Sequence, residues 1–498
     1  MQFTTFSFAV FFPIVVLCFY IMPKRARQLW LLVASYYFYM GWSAQYALLI
    51  FASTVTTFGC GLLLERCKED SQGKKKLVLV SSLLINLGIL VFFKYFYFLH
   101  DTVDTILSYF GMGIGESRLQ IILPVGISFY TFQAIGYTID VYRGDVKAER
   151  NFIRYALFVS FFPQLVAGPI ERSGHLLSQI QEITDKNKRQ WDFEKVTSGL
   201  LLMLWGYFLK MVIADRAAIF VDSVFDYYYM AQGASLLVAA ILFSVQLYCD
   251  FASYSTIAIG AARVLGIELI PNFAAPFLSR SIGEFWRRWH ISLSQWLRDY
   301  VYIPLGGSRC SKIRKYRNTL ITFFVSGLWH GASWHYVLWG TLQGVFIVIG
   351  DILRPVKQSV AKKCNMRTET FGIKAVQTIC TFALFTFSLV LFRAETVRDG
   401  LYYLQRMVTH FDIWSFFDEA LLNLGLDRKE IHVLLFGIVL MVIVDFYYQF
   451  KKAYFDQMVK SQCLAVQYIV TIALFLMILV FGIYGEAYDA TQFIYFQF

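Results

Sequence analysis

Long apolar runs recur along this chain from Phe3 to Tyr484, and that recurrence limits the fold before any motif is considered. A helix that crosses the hydrocarbon layer needs roughly 20 apolar residues. Candidates fall at 3–22, 29–40, 46–64, 77–99, 121–141, 152–170, 198–214, 234–249, 251–270, 318–336, 337–353, 373–392, 431–450 and 466–484. Some are short (29–40) or interrupted by Gly and Pro (152–170). The expectation is an all-α polytopic membrane protein with about 11 full spans, the remaining segments being re-entrant or interfacial.

Composition agrees. Of 498 residues 57% are hydrophobic and 16% charged, with a mean hydropathy of +0.54, whereas soluble domains carry about 25% charged residues. With no visible internal repeat or low-complexity tract, and only a polar linker at 185–195, one membrane domain (1–498) is expected.

The formal charge of +11 does not point to nucleic acid, because the basic residues sit in short loops between apolar runs. Cytoplasmic loops facing anionic headgroups have that pattern. Lys24–Arg27, Arg66–Lys76 and Arg143–Arg154 are basic, while the GWSAQ turn has no charge and the 100–120 loop has one basic residue, Arg118. This alternation places the basic loops, including 309–317 and 354–367, in the cytoplasm. It places outside the N-terminus, the 394–430 segment with seven acidic against four basic residues, and the tail GEAYDATQFIYFQF. The first basic residue, Lys24, follows the first apolar run, so 3–22 reads as a retained span. The eight cysteines are scattered with no C-x-x-C pair; they indicate neither disulfides nor zinc and read as small core hydrophobes. No metal or tightly bound cofactor is expected.

Residues 280–340 concentrate the chemistry. They hold His290, His330 and His335 and six of the 11 tryptophans. Ile282, Phe285, Trp286, Trp289, Leu293, Trp296 and Tyr300 fall on one helical stripe, opposite Glu284, Arg287, Arg288, Gln295, Arg298 and Asp299. Glu284 and Arg288 are spaced for an i,i+4 pair. On these residues alone the segment is an amphipathic interfacial helix with His290 at the border of its stripe.

The next segment, ITFFVSGLWHGASWHYVLWGTLQGVFIVIG, is apolar apart from its histidines. His330 lies about 20 Å beyond the basic loop by helical rise. An imidazole at that depth is costly unless it pairs, so a functional role is the first hypothesis; a structural histidine bonded to a carbonyl is the alternative. Gly327, Gly331 and Gly340 permit close approach or a helix break. His335 need not share the face of His330. A buried neutral imidazole suits general-base work, and the chain has no G-x-S-x-G, H-E-x-x-H or P-loop. Lys94, Asp140, Lys210, Asp215, Asp250 and Asp445 lie in or beside apolar runs; such residues are commonly snorkelers or structural ion pairs. Asp250 is the one retained as a site candidate.

Four segments carry a resemblance: LPVGISFYTFQAIGYTIDVYRG (123–144), SFFPQLVAGPIERS (160–173), IGEFWRRWHISLSQWLRDYVYIPLGGSR (282–309) and SGLWHGASWHYVLWG (326–340). They resemble the membrane-bound O-acyltransferases, in particular the bacterial branch of alginate O-acetylation and teichoic-acid D-alanylation. The closing FIYFQF resembles the alginate group. The resemblance implies a bowl-like helical fold with a central tunnel and a catalytic core near 121–350. It implies that His330 is the family's near-invariant histidine and His290 its second important one, with Trp286, Arg287, Arg288, Trp329, Trp334, His335 and Asp250 as candidates for donor or tunnel contacts.

The implied activity moves acetyl from cytoplasmic acetyl-CoA towards an exported or cell-wall polysaccharide in the bacterial cell membrane. A secreted or membrane-anchored partner with a serine-hydrolase-like fold would complete the transfer. D-alanyl or other acyl transfer to teichoic acid is the nearest alternative. A glycan or lipid-precursor transporter or flippase is the alternative of a different class; transporters often show repeated halves, and none is visible.

Overall fold

The computed structural model describes the chain except residues 69–70, 116, 118, 185–190, 417–420, 423 and 485–498. Arg118, much of the 185–195 linker and the closing FIYFQF therefore lie outside the described residues. All regular structure among the described residues is helical, and eight of those helices are long and apolar enough to cross a membrane. The protein is a multi-pass membrane protein.

The difference from about 11 expected spans has local causes. Candidates 234–249 and 251–270 form one helix, Gly233–Val264, because Asp250 does not end it. The 121–141 run yields a helix only from Ile127 to Arg143. The 152–170 run forms a nine-residue helix, Phe152–Ser160, followed by buried turns around Pro163 and Gly168. Nine residues rise only about 14 Å, so that segment cannot cross as a helix. Its irregular backbone is buried in protein, as membrane-depth turns require. The basic 309–317 stretch is not a loop throughout, since the Lys312–His330 helix begins within it.

The chain divides into two compact units. Unit 1 comprises Met1–Met203 and Ile257–Ile270; unit 2 comprises Leu204–Thr256 and Pro271–Phe498. In unit 1, Thr5 caps the Phe6–Ile21 helix by accepting from the Phe8 amide at 3.4 Å. The Ile127–Arg143 helix starts after Gly126, whose φ of +75° suits glycine and where a Cβ would lie 2.7 Å from the Leu165 carbonyl oxygen. The buried Glu171 carboxylate accepts from the Ile270 amide at 2.6 Å and lies 2.7 Å from His175 Nδ1.

Unit 2 holds a helical hairpin, Lys312–His330 and Trp334–Ile352. Its arms meet through glycines. A Cβ on Gly340 would lie 2.5 Å from the Phe323 carbonyl oxygen and 2.6 Å from Gly327 Cα. Such approach is what small residues supply between membrane helices, where packing rather than hydrophobicity drives association. In the same unit Lys210 is buried between two carboxylates, 2.8 Å from Asp215 and 2.6 Å from Asp250. This ion pair explains why Asp250 can sit mid-helix: a charge taken out of water persists when it is paired.

Of the eight cysteines, only Cys249 is buried; Cys364, Cys380 and Cys463 are exposed. Reading them as core residues was correct for Cys249 alone, because apolar runs in a membrane protein also face outwards.

Candidate active site

The stripe from Ile282 to Tyr300 does not form one helix. A helix covers Ile282–Arg288, opened by Ser281, whose hydroxyl accepts from the Glu284 amide at 3.2 Å; a second covers Ile291–Leu297. Between them Trp289 is extended and His290 is left-handed, with φ +46° and ψ +54°. A left-handed backbone costs a non-glycine residue roughly 1–2 kcal/mol and persists only where the surroundings over-determine it. Here two backbone bonds flank the break: Ala274 N donates to Arg288 O and Ile291 N donates to Asn272 O, both at 3.0 Å.

The break turns His290 inward. It is fully buried rather than placed at the border of an interfacial stripe. Its ring packs against Phe251 (centroids 4.6 Å apart) and Trp329 (5.5 Å).

His330 arrives from the other side, as the last residue of the Lys312–His330 helix, and is 5% exposed. Gly331 follows with no Cβ, and a Cβ there would fall on the Tyr336 ring. The His330 ring meets Trp329 at 5.0 Å, Trp339 at 5.1 Å and Phe392 at 5.7 Å. His290 and His330 face each other with centroids 6.3 Å apart, inclined by 69°. A direct N–H···N bond of about 3 Å would draw two imidazole centroids nearer than that. Both rings are buried among aromatic side chains, a low-polarity surrounding in which electrostatic contacts are stronger than in water.

The remaining candidates separate into distinct surroundings. Trp329 lines the pair. Trp286 packs on Trp339 at 5.8 Å, and its indole N–H reaches Gln343 Oε1 at 3.4 Å; Gln343 in turn donates to Ser388 at 2.8 Å. Arg288 forms the expected pair with Glu284 at 2.6 Å and also donates to Gln449 at 2.6 Å. Arg287 is exposed. Trp334 is 55% exposed. His335 is buried apart from the pair, with Nδ1 2.9 Å from the Ser333 hydroxyl and its ring against Tyr336 at 4.0 Å. Asp250 holds Lys210, while the next residue, Phe251, packs on His290.

Sequence reasoning missed Phe251, Asn272, Trp339 and Phe392. The three aromatics have no signal that separates them from 18% aromatic content, and Asn272 reads as a loop residue beside Pro271.

An all-helical membrane protein whose two buried histidines meet in an aromatic enclosure matches a known class. The model of the family "MBOAT, membrane-bound O-acyltransferase family" matches residues 146–392, which contain both histidines, and the chain belongs to that family. It is an O-acyltransferase. Among its relatives, a probable alginate O-acetylase AlgI of Pseudomonas syringae pv. tomato is 37% identical over 78% of this chain and 71% of its own length. A peptidoglycan O-acetyltransferase of Helicobacter pylori is 33% identical over 89% of this chain and 88% of its own. A teichoic acid D-alanyltransferase of Streptococcus thermophilus is 30% identical over 54% of this chain and 68% of its own.

Proposed function

We propose that this O-acyltransferase moves acetyl from cytoplasmic acetyl-CoA towards a hydroxyl of an exported or cell-wall polysaccharide. It would act as one bacterial cell-membrane domain with both termini outside. The observation that carries the reading is the buried His290–His330 pair, with ring centroids 6.3 Å apart. Greater identity over more of the chain to O-acetylating relatives than to the D-alanyltransferase supports acetyl as the group moved.

In this reading an imidazole nitrogen of His330 takes the proton of the attacking hydroxyl as its oxygen bonds to the thioester carbonyl carbon. The tetrahedral intermediate then collapses, the carbon–sulfur bond breaks, and the thiolate leaves with that proton, giving ester and free thiol. His290 polarises or positions the donor. The exposed Arg287 and the basic residues from Arg309 to Arg317 attract the CoA phosphates; Arg288 is already engaged by Glu284 and Gln449. A secreted or membrane-anchored partner with a serine-hydrolase-like fold hands the acetyl to the final polysaccharide.

The test incubates membranes containing the protein, with and without such a partner, with labelled acetyl-CoA or a labelled D-alanyl donor. Acetyl label appearing on glycan or partner supports the reading. Transfer of D-alanyl alone replaces it with the teichoic-acid reading.

A further inference from the structure

The left-handed turn at His290 is held by a buried side chain that no motif singles out. Asn272 is 1% exposed. Its Oδ1 accepts from the Ser292 hydroxyl at 2.7 Å and from the Ser292 amide at 3.3 Å. Its Nδ2 donates to Ser255 Oγ at 2.9 Å, and its own carbonyl accepts from the Ile291 amide at 3.0 Å. The side chain's acceptor thus holds the residue two places after His290, while its donor grips the Gly233–Val264 helix. One turn before Ser255, that same helix presents Phe251 to the His290 ring.

We infer that Asn272 is a positioning residue for acyl transfer, setting the backbone turn that aims His290 at His330. This rests on the proposed role of His290. The physical case is one of over-determination. The Ile291–Leu297 helix begins directly after His290 without a side-chain cap from that residue, so its first amides need partners, and Asn272 supplies an acceptor to each of the first two. The carboxamide meets both needs without charge: one acceptor oxygen for two donors on Ser292, and one donor for a buried hydroxyl. Aspartate would keep the acceptor and bring an ionised group into an apolar site. Leucine would keep the volume but supply neither the acceptor that Ser292 uses nor the donor that reaches the Ser255 hydroxyl.

If Asn272 acts through His290, losing it shifts the imidazole by a fraction of its 6.3 Å separation from His330. Misplacement by about 1 Å costs on the order of 100-fold in rate, with binding of the donor unaltered.

The experiment uses full-length protein in membranes and labelled acetyl-CoA as the probe, at matched protein levels. His290→Ala comes first: a wild-type rate in that variant removes the reading beneath the inference and leaves Asn272 no histidine to position. With His290→Ala impaired, Asn272→Ala is expected to lower kcat by about 10- to 100-fold while KM for acetyl-CoA stays within about twofold of wild type. Ser292→Ala, which deletes one hydroxyl only, is expected to fall in the same direction by less, and it carries the test if Asn272→Ala does not accumulate. The double variant Asn272→Ala/His290→Ala is expected to be no slower than His290→Ala alone. Wild-type kcat in both Asn272→Ala and Ser292→Ala overturns the inference. So does a double variant slowed, relative to His290→Ala, by the same factor as Asn272→Ala slows the wild type.

Discussion

His290 and His330 hold their rings 6.3 Å apart although neither sits mid-helix: His290 occupies a left-handed break and His330 the last position before Gly331. Phe251 and Trp329 pack on the His290 ring, and Trp329, Trp339 and Phe392 on the His330 ring. A pair so placed can be dissected residue by residue.

His335 provides the contrast. It lies five residues from His330 but bonds Ser333 and packs, tilted, against Tyr336. His335→Gln is expected to keep acyl transfer within about threefold of wild type, far from the 100- to 10,000-fold that a general base contributes. Initial rates of labelled acetyl transfer at matched protein check this, and a loss as deep as that of His330→Ala would place His335 in the chemistry.

The hairpin that delivers His330 depends on glycine. Gly340→Val would place its branched side chain against the Phe323 carbonyl and Gly327 Cα, forcing the arms apart. Overpacking of this kind costs about 1–3 kcal/mol. The melting temperature of the detergent-solubilised protein should fall and transfer should weaken with it. Gly350→Ala, where a Cβ meets nothing within 4 Å, should leave both unchanged.

The buried charge cluster should respond asymmetrically. Lys210→Met removes the cation shared by Asp215 and Asp250 and is expected to destabilise unit 2 by about 3–5 kcal/mol. Adding Asp250→Asn should restore part of the loss. A single variant as stable as wild type by thermal unfolding would show that the cluster is not an ion pair of consequence.

Outside the membrane-spanning helices, the Glu171 carboxylate bonded to His175 raises the imidazole pKa, against a smaller lowering by burial. A pKa raised on folding contributes stability that is fully present below the unfolded value of about 6.5. That stability is lost as pH rises through the folded value. The melting temperature of wild type should therefore drop on going from acid to mildly alkaline pH by more than that of His175→Gln. Parallel pH profiles would count against the His175–Glu171 pair.

Much of this was legible in the chain. The all-helical membrane fold, the burial of His330 and the Glu284–Arg288 pair follow from hydropathy, an imidazole set in an apolar run and i,i+4 spacing, all of them local. What was not legible depends on residues far apart in sequence. The stripe from Ile282 to Tyr300 reads as one helix because its period is unbroken, and nothing nearby signals the break at Trp289–His290. The cause is tertiary: the 272–274 backbone and the Asn272 side chain bond to residues on either side. Asp250 likewise looked like the boundary between two spans, since its neutralising partner, Lys210, lies on another helix. Lys210 itself sits in a π-turn, Leu209–Ala214, inside a run that hydropathy alone reads as uninterrupted.

The most direct test of the central claim is the rate of acetyl transfer from labelled acetyl-CoA by His330→Gln, in membranes with wild-type levels of the protein. Glutamine keeps a polar side chain of similar reach but cannot accept and release a proton near neutral pH. With His330 as the base, transfer should fall by at least about 100-fold while donor binding persists. Transfer at the wild-type rate would contradict that role and leave the buried pair a structural feature of the fold.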